Sequence, residues 1–231
     1  MIHQDKCSMK VCTDSCLFGA FVAEKVTQLN KSPKYILDIG AGTGLLSLML
    51  AQKTSAKIDA VEIEKNAFEQ AQENFNTSPW KNRLNIFHSD IKQWKAPHNY
   101  DLIITNPPFF ENDPVSEDSR KNISKHNFGV LLTELFPIVH TILKPEGNIA
   151  ILLPWSRSIW FENKALKDGL YVKEKIGIRQ IDSHPFFRTA YIFQKEKTEK
   201  NENQLSIRIS NNNNEYSNEF RELLKDYYLH L

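Results

Sequence analysis

Along the middle of the chain, short apolar runs alternate with segments whose apolar residues recur every three or four positions. That alternation is the pattern of parallel strands joined by crossover helices. Residues 35–39 (YILDI), 57–61 (KIDAV), 84–88 (LNIFH), 100–105 (YDLIIT) and 148–153 (NIAILL) read as strands. A helix is predicted over 45–53, and Ala67, Ala71 and Phe75, each four apart, mark one face of the next. Residues 106–126 are polar and carry three prolines, which predicts a loop. Phe128, Leu131, Leu132, Leu135, Phe136 and Val139 then form the clearest amphipathic stripe in the chain. A helix over 158–169 follows, then a strand pair over 171–178 and 189–194, connected through IDSHPFFR at 181–188. The polar stretch 195–204 predicts a solvated surface crossing and LSIRI a short strand. Phe220, Leu223, Leu224 and Tyr227 predict the stripe of a terminal helix.

The chain has 231 residues, enough for one sizeable core. The segment after the polar stretch is too short to hold a core of its own. One domain over 1–231 is therefore expected, with 1–30 capping the ligand face and 195–231 as an extension. Lys and Arg number 29 against 28 Asp and Glu, a net charge of +1, which excludes a globally basic coat but not a local basic face. No apolar run approaches the roughly 20 residues of a membrane span, and MIHQDKCSMKV lacks the apolar stretch of a secretion signal. A cytoplasmic, membrane-free monomer is the expectation. Cys7, Cys12 and Cys16 form an odd, clustered set with only His3 close by, so free thiols are expected and no metal.

The first chemical signal is Asp38-Ile39-Gly40-Ala41-Gly42-Thr43-Gly44 between a strand and a helix. Glycines allow a tight turn and close approach of a ligand to the backbone. The spacing is G-x-G-x-G, whereas a dinucleotide turn wants G-x-G-x-x-G. Asp38 would repel a pyrophosphate but suits an ammonium group. The pattern favours S-adenosylmethionine, which has a zwitterionic tail and no phosphate, over a nicotinamide dinucleotide. Glu62 ends the next strand, where a carboxylate can take ribose hydroxyls. Asp90 in HSDI could accept from an adenine amino group, or equally cap the following turn.

Asn106-Pro107-Pro108-Phe109 follows the fourth strand directly. The double proline removes backbone donors, which leaves the Pro107 carbonyl beside the Asn106 carboxamide as a pair of acceptors for one amino group. Phe109 can stack on a planar base taken out of its own stack.

DIGAGTG together with NPPF resembles the amino-methylating branch of the Rossmann-like S-adenosylmethionine-dependent methyltransferases. HQDKCSMKVCTDSCLFGAF, the NPPFF doublet, KHN before the amphipathic stripe and YSNEFRELLKDYYL are similar to the bacterial tRNA(Val) adenine-N6 methyltransferases, from His3 to about Leu229. The resemblance implies a class I α/β fold, a mainly parallel seven-stranded sheet with an antiparallel last strand and helices on both faces. It implies N6-methylation of the adenine 3′ of the anticodon, position 37, with tRNA as partner. Asn106, Pro107 and Phe109 are the candidate catalytic residues. Asp38, Gly40, Gly42, Glu62, Asp90 and Asn106 are candidates for the cofactor, and Pro108, Phe109, Phe110, Lys10, His126 and Arg188 for the substrate. Phe186 and Phe187 interleave with the basic residues on the expected RNA face.

The adenine N6 lone pair is delocalised, so acceptors for its two hydrogens would favour a more tetrahedral nitrogen. They would also bind the charge that develops during transfer. A protein glutamine amide offers the same NH2, which keeps release-factor methylation as an alternative, beside a catalytically idle RNA-binding module.

Overall fold

The computed structural model describes residues 2–7, 10–29, 31–107, 134–210 and 215–230. Helix α1 (Thr13–Thr27) leads into β1 (Tyr35–Ile39), α2 (Leu45–Lys53), β2 (Lys57–Glu62), α3 (Lys65–Thr77), β3 (Leu84–His88) and β4 (Tyr100–Thr105). Residues 134–142 are helical and are labelled α4. Then come β5 (Leu143–Pro154), α5 (Ser158–Lys167), β6 (Tyr171–Arg179), β7 (Arg188–Gln194), β8 (Asn201–Ser206) and α6 (Asn218–Leu224). Of the predicted amphipathic stripe, Leu135, Phe136 and Val139 lie on α4 and are buried; Phe128, Leu131 and Leu132 fall outside the described residues.

The sheet has eight strands in the order β3-β2-β1-β4-β5-β7-β6-β8. The first five run parallel, and β7 is antiparallel to both β5 and β6. Seven of these match the predicted set. The eighth, β8, corrects the prediction: residues 201–204 were expected in a solvated crossing, yet they pair in parallel with β6 from Glu174–Asn201 to Arg179–Ser206. An edge strand needs only its backbone to pair, so polar side chains can face water and no apolar alternation betrays it. Lys175 of β6, mostly buried, sits between Glu162 at 3.0 Å and Glu202 at 2.8 Å and so ties β8 to α5. Of LSIRI, only Leu205 and Ser206 are strand; Arg208 beyond them bridges to Tyr216.

Strand residues are buried alternately on two faces, as a doubly covered sheet requires. Ile36, Ile58, Leu102, Ile104 and Ala150 pack with α1, α2 and α6. Leu37, Ile103, Ile149 and Ile151 pack with Leu135 and Phe136 of α4 and Phe161 of α5. The tail helix is docked. Ser217 Oγ accepts the Phe220 N–H at 3.1 Å and donates to the Ser206 carbonyl at 2.6 Å, while Phe220 and Leu224 are fully buried in the cluster containing α1.

Candidate functional site

Strand order reverses between β1 and β4, since β2 and β3 lie to one side and β5 to the other. That reversal opens a crevice at the C-terminal ends of the strands, the usual ligand position in such sheets. Thr105 Oγ1 donates to the Ile39 carbonyl at 2.8 Å and binds the two strand ends together. Asp38, Glu62 and Asn106 all belong to this end of the sheet, and the glycine turn lies over it.

Gly40 and Gly42 have φ of 72° and 57°, and a Cβ on either would meet nothing within 4 Å. The turn thus offers bare backbone to open space. Gly44 differs: at φ 81°, its Cβ would stand 2.5 Å from the Phe75 ring, so this glycine lets α3 close on the turn. Glu62 reaches back to the same turn, its Oε2 accepting the Gly42 N–H at 2.8 Å and its Oε1 the Glu64 N–H at 2.9 Å. Each carboxylate oxygen has a second lone pair beyond these bonds.

Asp38 is fully buried. Its Oδ2 accepts from the Ser47 N–H at 3.1 Å and the Ser47 hydroxyl at 2.7 Å, while Oδ1 has no partner among the described residues. Burial pushes this carboxyl up to about 7; the two Ser47 donors pull it down and neighbouring Glu62 adds to the rise. An unpartnered buried oxygen is costly unless something donates to it.

Asn106 presents the second orphan. Its Nδ2 donates to Ser15 Oγ of α1 at 2.7 Å, and its buried Oδ1 has no partner among the described residues. Pro107 is buried beside it. Pro108, Phe109, Phe110 and His126 lie outside the described residues. Two orphan acceptors and a bare glycine turn fit a ligand that brings N–H donors and no phosphate, which suits S-adenosylmethionine.

The remaining candidates are placed differently. Asp90 caps a turn: Oδ1 accepts the Lys92 N–H at 2.9 Å, and its carbonyl takes the Gln93 and Trp94 N–H groups. Arg188 donates through Nε to Asp14 Oδ2 at 2.9 Å and lies over the Phe187 ring at 5.6 Å. Lys10 donates to the Gln4 carbonyl. Phe186 stacks within the fold, 4.5 Å from Trp155, with the Arg179 guanidinium 5.1 Å over it. Cys7, Cys12 and Cys16 are thiols, and burial pushes Cys7 and Cys16 up. Ser15 and Ser47 escaped the sequence reading, for a lone Ser inside a helix carries no motif signal.

Among the described residues no group of three or more His, Cys, Asp or Glu is arranged to hold a metal, and no helix is long and apolar enough to cross a membrane.

Comparisons with known proteins agree with this geometry. The model of the methyltransferase small domain family matches residues 18–150. The chain is 41% identical to a tRNA1(Val) (adenine(37)-N6)-methyltransferase of Dyadobacter fermentans, over 99% of this chain and 94% of that one. It is 36% identical to the enzyme of the same name from Tolumonas auensis, over 100% and 94%. Among solved structures, a predicted O-methyltransferase from Agrobacterium tumefaciens superposes with a TM-score of 0.67 at 14% identity, covering 91% of this chain and 95% of that one. An S-adenosylmethionine-dependent methyltransferase from Clostridium acetobutylicum superposes with a TM-score of 0.59 at 15% identity, over 80% and 92%. These two share the fold, and the relatives fix the group: the chain belongs to the tRNA1(Val) (adenine(37)-N6)-methyltransferase family of S-adenosylmethionine-dependent methyltransferases.

Proposed function

We propose that the protein methylates N6 of adenine in tRNA, at position 37 of tRNA1(Val), using S-adenosylmethionine. The observation that carries the reading is Asn106, which donates one N–H to Ser15 and whose buried Oδ1 lacks a donor among the described residues. An exocyclic amine is a donor that fits there. The relatives' names support the substrate, and none of those reported supports the glutamine alternative.

S-adenosylmethionine supplies a methyl group on a sulfonium, reactive without metal or base. The chain's part is to bind and aim. Asp38 Oδ1 takes the ammonium of the methionine end, Glu62 the ribose hydroxyls, and Gly40 and Gly42 allow backbone contact. Asp90 uses one oxygen on its turn and offers the other to the adenine amino group. Asn106 Oδ1 and the Pro107 carbonyl accept the two hydrogens of the target amine and direct its lone pair along the line of transfer. Transfer would form the N–CH3 bond as the S–CH3 bond breaks and would leave positive charge on N6, which both acceptors would bind more tightly in the transition state. One N6 proton then passes to water. Pro108, Phe109, Phe110 and His126 complete the substrate side, with Phe109 stacking on the base and Lys10 and Arg188 facing the RNA.

Residues 1–30 cap this face, and 195–231 extend the same domain. One chain carries every proposed binding residue, which supports a monomer, and tRNA as partner supports a cytoplasmic activity. The test is incubation with methyl-labelled S-adenosylmethionine and either unmodified tRNA1(Val) or a release factor, followed by nucleoside and peptide mass spectrometry. N6-methyladenosine at position 37 is expected; label in the protein alone would reject the assignment.

A further inference from the structure

The Asn106 carboxamide has two ends of nearly equal size, and a half-turn about its last torsion exchanges acceptor oxygen for donor nitrogen. Placement of the backbone therefore does not decide which end meets an incoming amine. A residue on the first helix decides it: the Ser15 oxygen accepts from Nδ2 at 2.7 Å. Ser15 Oγ also lies 3.0 Å from Cys12 Sγ, so its one proton can go to sulfur while its lone pairs face the carboxamide.

Ser15 is itself held from both sides. Asp14 takes the Ser15 N–H on Oδ1 at 3.0 Å and Arg188 Nε on Oδ2 at 2.9 Å, which ties the first turn of α1 to the start of β7. One turn further along, Gly19 lets α1 press on α2, for a Cβ there would stand 2.6 Å from Met49 Sδ. Ser15 is thus fixed in depth by packing and in rotation by the ion pair.

We infer that Ser15 is a positioning residue for methyl transfer, fixing Asn106 with Oδ1 toward the reacting amine. The inference rests on the proposed role of Asn106. Without the Ser15 oxygen the flipped carboxamide is as accessible as the productive one, and it sets a donor against a donor. Ser15 meets neither base nor methyl, so its loss registers in the rate of the bound complex and not in binding.

Single-turnover methylation of tRNA at saturating S-adenosylmethionine reads this directly, with tRNA and cofactor Kd measured alongside. Ser15→Ala keeps the helix, in which Ala is favoured, and should slow transfer about five- to tenfold with both Kd values within about twofold of the parent. In an Asn106→Ala background the same change should cost nothing further, because no carboxamide remains to be oriented. A Ser15→Ala rate equal to the parent's, or an equal loss in both backgrounds, overturns the positioning role and leaves that of Asn106 standing. An Asn106→Ala protein as fast as the parent is a separate outcome, and it removes the assignment on which both rest.

Discussion

Glu62 Oε2 accepts the Gly42 N–H at 2.8 Å, so the carboxylate proposed for the ribose also holds the glycine turn in shape. The two duties can be separated. Glu62→Ala should weaken S-adenosylmethionine binding by about 1.5–3 kcal/mol for each charge-assisted bond lost. It should also lower stability, because the Gly42 and Glu64 N–H groups lose their acceptor. Calorimetry and thermal unfolding check the two effects, and unchanged cofactor affinity would take Glu62 off the ribose.

Asp38 gives a pH dependence of definite sign. Its carboxyl stands at about 7 in the fold against an ordinary 3.8. The folded chain therefore keeps a proton that the unfolded chain releases, and stability declines as pH rises through that window. Asp38→Asn retains an acceptor for Ser47 and carries no charge, so it should match the parent's stability in acid and exceed it in mild alkali. Its cofactor affinity should match the parent's in acid, where Asp38 is neutral, and fall below it as Asp38 ionises. In the parent, affinity should climb between about pH 6 and 8 as Asp38 ionises opposite the ammonium. A flat calorimetric profile would sever Asp38 from the cofactor.

Gly44 is the turn's structural glycine. Ala there must adopt φ near 81° and displace the Phe75 ring, which should cost about 1–3 kcal/mol. Urea unfolding measures the loss; a Gly44→Ala protein as stable as the parent would mean that α3 can yield without cost.

Arg188 is a proposed RNA contact that the fold pairs with Asp14 at 2.9 Å. Asp14→Asn removes a negative charge from the RNA-facing side and loosens that pair. Affinity for tRNA should rise, and the salt slope of log K should steepen by roughly 0.7–0.9, one phosphate contact's worth. Fluorescence titrations across a salt series test it; an unchanged slope assigns Arg188 to structure alone. Because the net charge is only +1, the parent's own slope should be modest.

Much of the architecture was legible because buried strands must be apolar along their whole length. The bounds read for β1, α2, β3 and β4 agree with the structure. β8 was not legible, for its pairing is carried by backbone groups that every residue owns. At the site, the candidates Asp38, Glu62 and Asn106 were readable from position: Asp38 stands two residues before Gly40, Glu62 ends the strand after the glycine turn, and Asn106 precedes a double proline. Ser15 was not, because its contact with Asn106 spans 91 residues of chain and leaves no local mark, and Ser47 was not, because a lone Ser inside a helix carries no motif signal even nine residues from its partner Asp38. Asp90 shows the converse, a residue whose turn chemistry is local and was therefore foreseeable.

The docking of α6 has a consequence for how the protein is made. The helix that carries Ser15 is synthesised well before Phe220 and Leu224, which share its core cluster. Gln52 of α2 likewise waits for the Asp226 carbonyl, which it meets at 2.7 Å. Until then the outer side of α1 is an apolar surface without its cover, the kind of exposure that invites chaperones. A chain stopped at residue 210 should bind a hydrophobic dye that the chain carrying α6 excludes.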